Sequence, residues 1–287
     1  MRDMVGYGKE TPPFSWPNKA KIAINFVINY EEGSEQSPVN GDEYAEVYGT
    51  DFPFSKKPKG KRSLSVESSF EYGSRVGIWR LIRLFDQYSI PLTFFVCGQA
   101  LILNPALADY LASSDHEVAG HGWRWLDYST IPAKTEKEHI HLCVETLEKL
   151  TGKKIQGWYT GRRSEHTRSL LEQAGGFLYD SDSYADELPY KEKKHLIIPY
   201  SLDNNDFRYT TSPGFTGPSD FYEQLVNTFK FLHAEQRLAL MSIGLHPRLS
   251  GKPAKAMVIK QFLDYLSEYK DVWIARRVDV AKYWLER

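Results

Sequence analysis

Hydrophobic residues alternate along 21–28, where Ile22, Ile24, Phe26 and Ile28 take every second position, the two-residue repeat of a strand. A different period governs 74–88: Ile78, Leu81, Ile82 and Phe85 share one face at helical spacing. Between the two lies a polar stretch over about 33–65, rich in Gly, Pro, Ser and charge. A loop of that length inside a compact domain is usually functional or mobile.

The strand-then-helix alternation recurs to the end of the chain. Strand-like runs are predicted at 92–97, 117–120, 155–159, 177–179, 196–200, 238–245 and 272–275. Helices are predicted between most of them. Asn104-Pro105 reads as an N-cap and first-turn proline opening 104–113. Thr135 with Glu138 forms a capping box for a helix whose apolar face is Ile140, Cys143, Val144, Leu147 and Leu150, and Gly152 stops it. Further helices are predicted from about 164 to Gly175-Gly176, over 219–235 on a stripe of Phe221, Leu225, Phe229 and Leu232, from Pro253 to about 269, and over 278–285.

Strands with helices between them predict a parallel sheet with crossovers, either open or rolled into a TIM-like barrel. The polar clusters favour the barrel because they follow strands: Glu31-Glu32 after the first, His121 after the third and Arg162-Arg163 after the fourth. Asp180 and Asp182 follow the fifth, Asp203 and Asp206 the sixth, and His246 the seventh. In a barrel such ends converge on one rim, where barrel enzymes keep their chemistry.

Composition narrows the function class. With 41% hydrophobic and 25% charged residues, the 287-residue chain can bury a full core. A formal net charge of −1 provides no global field for nucleic acid or an anionic membrane. The one basic run, Lys56, Lys57, Lys59, Lys61 and Arg62, holds Pro58 and Gly60 and reads as a solvated loop. No stretch approaches the roughly 20 apolar residues of a membrane span, and residues 1–16 lack the apolar run of a signal peptide. Cys97 and Cys143 lie in apolar stretches and read as small buried side chains, which suits a reducing, cytoplasmic setting. Most of the 18 Tyr, 15 Phe and 7 Trp are expected to fill the core, with some left to line a pocket.

Five strings could carry chemistry. Asn29-Tyr30-Glu31-Glu32-Gly33 sets two carboxylates side by side, and their repulsion can raise one pKa to suit a base or an acid. Two exposed glutamates opening a loop are the competing reading. His121-Gly122-Trp123-Arg124-Trp125 places an imidazole and two indoles at a strand end. Tyr159-Thr160-Gly161-Arg162-Arg163 offers a planar fork to a carbonyl or ureido oxygen, or else a salt bridge to Asp180 or Asp182. Asp203-Asn204-Asn205-Asp206 resembles a turn. Gly244-Leu245-His246-Pro247-Arg248 ends a strongly apolar strand, so His246 is placed as a catalytic acid or as a satisfied rim histidine.

In order, these strings resemble the polysaccharide-deacetylase (NodB-like) superfamily. Its best-known pattern is Thr-Phe-Asp-Asp-Gly, then His-Ser/Thr-x-x-His, an Arg-Pro motif, an Asp-Trp motif and a late Leu-His, in metal-dependent deacetylases of chitin, peptidoglycan or xylan. Here Glu31-Glu32 stands for the Asp pair, His121 matches the first His, and Trp125 stands at the second. Glu32 and His121 would supply two protein ligands if a metal binds after all, where a catalytic zinc site usually has three. The departures are similar to those of the bacterial metal-independent allantoinases, which also share Tyr72-Gly-Ser-Arg, Gly157-Trp-Tyr-Thr-Gly-Arg, Phe177-Leu-Tyr-Asp-Ser-Asp-Ser-Tyr and Ile198-Pro-Tyr-Ser-Leu-Asp-Asn-Asn-Asp.

That resemblance implies a deformed TIM-like (β/α) barrel of seven to eight parallel strands, read as a single domain over 1–287. It implies a homo-oligomer, often a tetramer, and ring opening of allantoin to allantoate with no cofactor and no metal. The expected partner is a small molecule. N-deacetylation of a polysaccharide or chitooligosaccharide is the alternative within the family, and non-catalytic binding of a small nitrogenous ligand lies outside it. Glu31 or Glu32 is expected to deprotonate water, His121 and Arg162 to polarise the carbonyl, and His246 to donate a proton. Asp206 is expected to fix a His or Arg or to accept from substrate N–H groups. Trp125 and Tyr159 are expected to line the substrate pocket.

Overall fold

The computed structural model describes residues 2–51, 56–235 and 237–287. The predicted loop over about 33–65 includes 52–55, which lie outside the described residues.

Nine strands form one sheet: β1 (Ile22–Tyr30), β2 (Thr93–Val96), β3 (Glu117–Gly120), β4 (Gly157–Trp158), β5 (Tyr179–Asp180), β6 (Tyr190–Glu192), β7 (His195–Ile197), β8 (Ala239–Leu245) and β9 (Val272–Ile274). Their path is β6-β7-β5-β4-β3-β2-β1-β8, with β9 paired to β1 off that path. All pairings are parallel except the β6–β7 hairpin. The sheet curls into the deformed TIM-like barrel expected above, with its eight parallel strands; the antiparallel β6 was not foreseen.

The deformation has two sources. β1 pairs β8 along Ile22–Ile28, so its other edge is shared: β9 takes Ile22–Ile24 and β2 takes Val27–Tyr30. On the far side, closure rests on one parallel bridge, Asn205 to Gly244. Arg277 spans that seam. Its fully buried guanidinium donates to the carbonyls of Ile198 (2.5 Å) and Pro199 (2.7 Å) beyond β7 and to Ser242 Oγ (2.8 Å) on β8. These bonds supply the buried carbonyls with the donors that a missing ladder would have given.

Strand alternation sorts the core into two. Ile22, Ile24, Phe26, Ile28 and Tyr30 face the helix layer, with Phe94, Val96, Met241 and Ile243. Ala23 and Val27 face the barrel interior, with Phe95, Ala119, Tyr159, Tyr200 and Leu240. Extending the interior series of β1 through Asn25 and Asn29 by one step reaches Glu31, not Glu32. Period two therefore decides which carboxylate meets the barrel mouth.

Three helical expectations change, the first being the capping box at Thr135 and Glu138: that helix already begins at Ala133, behind Pro132, with no side-chain cap. The helix predicted over 74–88 begins at Leu64 and runs on to Gln87, with a π-type turn at Gly73–Gly77 in which the Ile78 N–H reaches Gly73 O. A helix at Gly98–Leu103 was not foreseen. The π turn brings Gly77 against the short helix Pro247–Ser250, where a methyl group on Gly77 would overlap the Pro247 carbonyl oxygen. Such bulges recur at functional sites, and this one backs the segment that carries Arg248.

Candidate active site

Four expected residues meet at the carboxyl ends of β1, β3 and β8. Glu31 Oε1 lies 3.0 Å from His121 Nε2 and 3.5 Å from His246 Nε2. His246 Nδ1 lies 2.6 Å from Asp206 Oδ1, and Asp206 Oδ2 also accepts the backbone N–H groups of His246 (2.8 Å) and Ser250 (3.1 Å). A fifth member was not assigned a role from sequence: Arg248 Nη2 donates to Glu31 Oε2 at 2.6 Å. Its guanidinium also lies over the rings of Phe70 (4.3 Å) and Trp125 (5.2 Å).

Three further expected residues, Tyr159, Arg162 and Trp125, wall this centre. Tyr159 stacks on His121 with centroids 5.2 Å apart, and its carbonyl oxygen faces His121 Nδ1. A carbonyl only accepts, so the contact assigns hydrogen to Nδ1. Arg162 lies over Trp125, 4.4 Å from the ring centre, with Glu46 Oε2 3.8 Å from its Nη2. The alternative of a salt bridge from Arg162 to Asp180 or Asp182 is not what forms. Asp182 accepts the N–H groups of Thr160 and Gly161, and Asp180 pairs with Arg168 and His195. Arg162 thus stands beside the aromatic wall, and Arg248 is the guanidinium in contact with Glu31.

The two adjacent glutamates separate as their faces require. Burial favours the neutral form of each. At Glu31, Arg248, His246 and His121 outweigh that penalty and hold the carboxyl well below its ordinary range. Glu32 turns toward Gly73 and the helix layer; burial, aided by the charge of Glu31, pushes its carboxyl up despite Arg248. At His246 burial works against the cation, but Asp206 and Glu31 prevail and raise it to about 9. Near neutrality the centre is an anionic Glu31 beside a cationic imidazole and a guanidinium.

The segment 33–51 folds over the mouth. Arg124 ties it down by donating to Asp42 Oδ1 (3.0 Å) and Glu35 O (2.9 Å), and Arg248 Nε donates to Gly49 O (2.5 Å). Gly49 has φ +73°, and a methyl there would press on Arg248, Trp125 and Phe207, so only glycine suits this approach. The sequence signal was the unusual length of the polar stretch; nothing local marked Glu46 or Gly49.

A rim that joins a carboxylate, two imidazoles and a guanidinium inside a (β/α) barrel has the base, acid and cation that hydrolysis of an acyl bond requires. Sequence comparison agrees with that class. The profile of the polysaccharide deacetylase family matches residues 57–176. A Schizosaccharomyces pombe homologue in that family is 37% identical, over 99% of this chain and 96% of its own. The chain belongs to the polysaccharide deacetylase family, a family of hydrolases. Two solved structures share the whole architecture. One is the probable polysaccharide deacetylase of Pseudomonas aeruginosa (41% identity, TM-score 0.97, covering 100% of this chain and 98% of that one). The other is PuuE allantoinase (42% identity, TM-score 0.95, covering 99% and 96%).

The wider superfamily's pattern implies a divalent cation. The donors here do not fit one. Trp125 stands at the second imidazole position, and both nitrogens of His121 are engaged, by Tyr159 O and by Glu31. The Arg248 guanidinium lies between the carboxylates, 2.6 Å from Glu31 and 3.5 Å from Glu32. Glu32, half of the fallback pair with His121, points to the helix layer. Among the described residues no group of three or more His, Cys, Asp or Glu is disposed to hold a metal ion.

Proposed function

We propose that the protein opens the ring of a small cyclic amide of the hydantoin type, turning allantoin into allantoate without a metal. The observation that carries this reading is enclosure. Glu31, His121, Arg248 and His246 are at most 4% exposed, under a wall that includes Trp125, Tyr159 and Phe207. A closed, aromatic-lined site suits a small ring, whereas a polymer needs an open groove at the reacting atoms. A cleft of about 920 Å³ opens on the flank between β7 and β8, lined in part by Tyr184, Tyr200, Asn204, Phe231 and Ser242. It includes none of those four residues. The likeness to PuuE allantoinase supports the same substrate.

The chemistry follows from the charges. Glu31 orients a water and takes its proton as the oxygen attacks the ring carbonyl. Charge developing on that carbonyl oxygen meets the Arg248 guanidinium and His121, both of which contact Glu31. The C–N bond breaks as His246 Nε2 delivers its proton to the leaving nitrogen, with Asp206 holding the ring from Nδ1. A C–O bond replaces the C–N bond, and no redox change occurs. Arg162, Trp125 and Tyr159 hold the substrate. Access requires segment 41–51 to lift. Cytoplasmic residence and a homotetramer belong to the same reading, and sedimentation of the purified chain checks the latter.

Substrate is tested by assaying one preparation on allantoin and on an acetylated chitooligosaccharide. Turnover of allantoin alone is expected. Release of acetate from the sugar at comparable kcat/KM, with none on allantoin, refutes the reading.

The acid has its own signature. Because the folded value of His246 is about 9, above the ordinary 6.5, it is a cation at neutral pH and loses its proton as pH rises through about 9. Activity is therefore expected to fall on the alkaline side near pH 9. Asp206→Asn removes the largest charge that raises it, and should move that limb by more than about one pH unit toward neutrality. An unmoved limb assigns the acid elsewhere.

A further inference from the structure

Glu46 is a buried carboxylate that the mechanism above does not use. Its Oε1 accepts the backbone N–H groups of Val47 (2.8 Å) and Tyr48 (3.0 Å). Its Oε2 is buried and accepts from no group among the described residues. Facing it at 3.8 Å, beyond hydrogen-bond reach, is Arg162 Nη2, and the Nε of the same guanidinium is also buried without an acceptor. Buried polar atoms left open are rare and need a reason. Here one acceptor and one planar donor stand side by side, beside the Trp125 ring on which Arg162 lies.

From this we infer that Glu46 and Arg162 form a recognition pair for a terminal ureido or carboxamide group, –CO–NH2, flat against the Trp125 wall. In such a group one N–H lies on the same edge as the C=O. The carboxylate takes that N–H while the guanidinium gives to the oxygen, which closes the 3.8 Å gap with two charge-assisted bonds. A secondary acetamide in its trans form sends N–H and C=O to opposite sides and cannot satisfy both partners. Glu46 would thus be a specificity-determining residue, reading the ureido arm and not the ring. This rests on the allantoin reading above and gives it a second discriminant against acetylated sugars.

The test separates arm from ring. Allantoin carries a ureido group on a hydantoin ring, and hydantoin is the ring alone. Affinity for both is measured by calorimetry in the Glu31→Gln background, which slows turnover, with and without Glu46→Gln. The substituted amide keeps its oxygen on the Val47 and Tyr48 N–H groups, so it turns an NH2 toward the substrate's N–H. Glu46→Gln should weaken allantoin by roughly 10- to 100-fold, the range for a hydrogen bond to a charged group. Hydantoin should stay within about twofold, or too weak to measure in both proteins. Arg162→Met, which leaves the Glu46 loop contacts intact, should act in the same direction. Equal weakening of both ligands, undiminished allantoin binding, or a parent that prefers hydantoin overturns the inference. Turnover of allantoin with Glu31 intact is followed separately. Its absence refutes the proposed reaction while the affinities still judge the ureido pair.

Discussion

Arg248→Ala is expected to lower kcat/KM on allantoin by roughly 100- to 1,000-fold, the usual cost of losing one oxyanion donor in a closed site. The guanidinium is fully buried and contacts Glu31, Glu32 and Gly49 at once. Removing it leaves Glu31 short of its principal counter-charge. Breaking a buried ion pair from one side typically costs about 3–5 kcal/mol of stability, so the melting temperature should fall as well. Stability loss alone would not respond to a small cation, and this separates the two roles. Millimolar guanidinium ion should restore part of the activity of the alanine variant. Arg248→Lys should recover charge but not the fork, and with it only part of the rate. Near-normal turnover in Arg248→Ala at a temperature where it is folded would remove Arg248 from the chemistry.

Glu31→Gln should cost roughly 100- to 10,000-fold in kcat, the range for a general base. The amide matches the carboxylate in shape, so the fold should survive. The substitution carries a second consequence, because Glu31 is one of the two carboxylates that raise His246. With that charge gone, the alkaline limb near pH 9 should shift toward neutrality. Glu32→Gln is the control. Glu32 sits on the helix-layer side against Gly73, so its loss should act mainly on stability. A Glu32 variant that loses turnover while Glu31→Gln stays within about tenfold of the parent would exchange the roles of the two residues.

The strand pattern made much of this legible. The polar strings at strand ends pointed to a single rim, and Glu31, His121, Asp206 and His246 do meet there. The same pattern, extended one residue past β1, separates Glu31 from Glu32, although adjacency alone left the choice open. Arg248 was harder to read. Its burial follows from contacts distant in sequence: the π turn at Gly73–Gly77, the close approach of Gly77 to Pro247, and the carbonyl of Gly49. No local period encodes these. Glu46 lay in a polar stretch whose length marked it as functional or mobile but singled out no residue. It became visible when Arg162, expected to answer either a substrate or Asp180 and Asp182, was found facing a carboxylate it does not reach. Strand β6 and the early start at Leu64 were missed for a simpler reason: a short, exposed strand ending Lys191-Glu192 and a polar first turn carry no apolar period.

In the proposed reaction the Arg248 guanidinium and the cationic His246 supply the positive charge that a metal ion would otherwise bring. That claim is tested most directly on allantoin, by comparing kcat/KM of chelator-treated, metal-analysed protein with the same protein given zinc. The account predicts full activity at substoichiometric metal and no gain on adding it. Activity that vanishes on chelation and returns with zinc would contradict it.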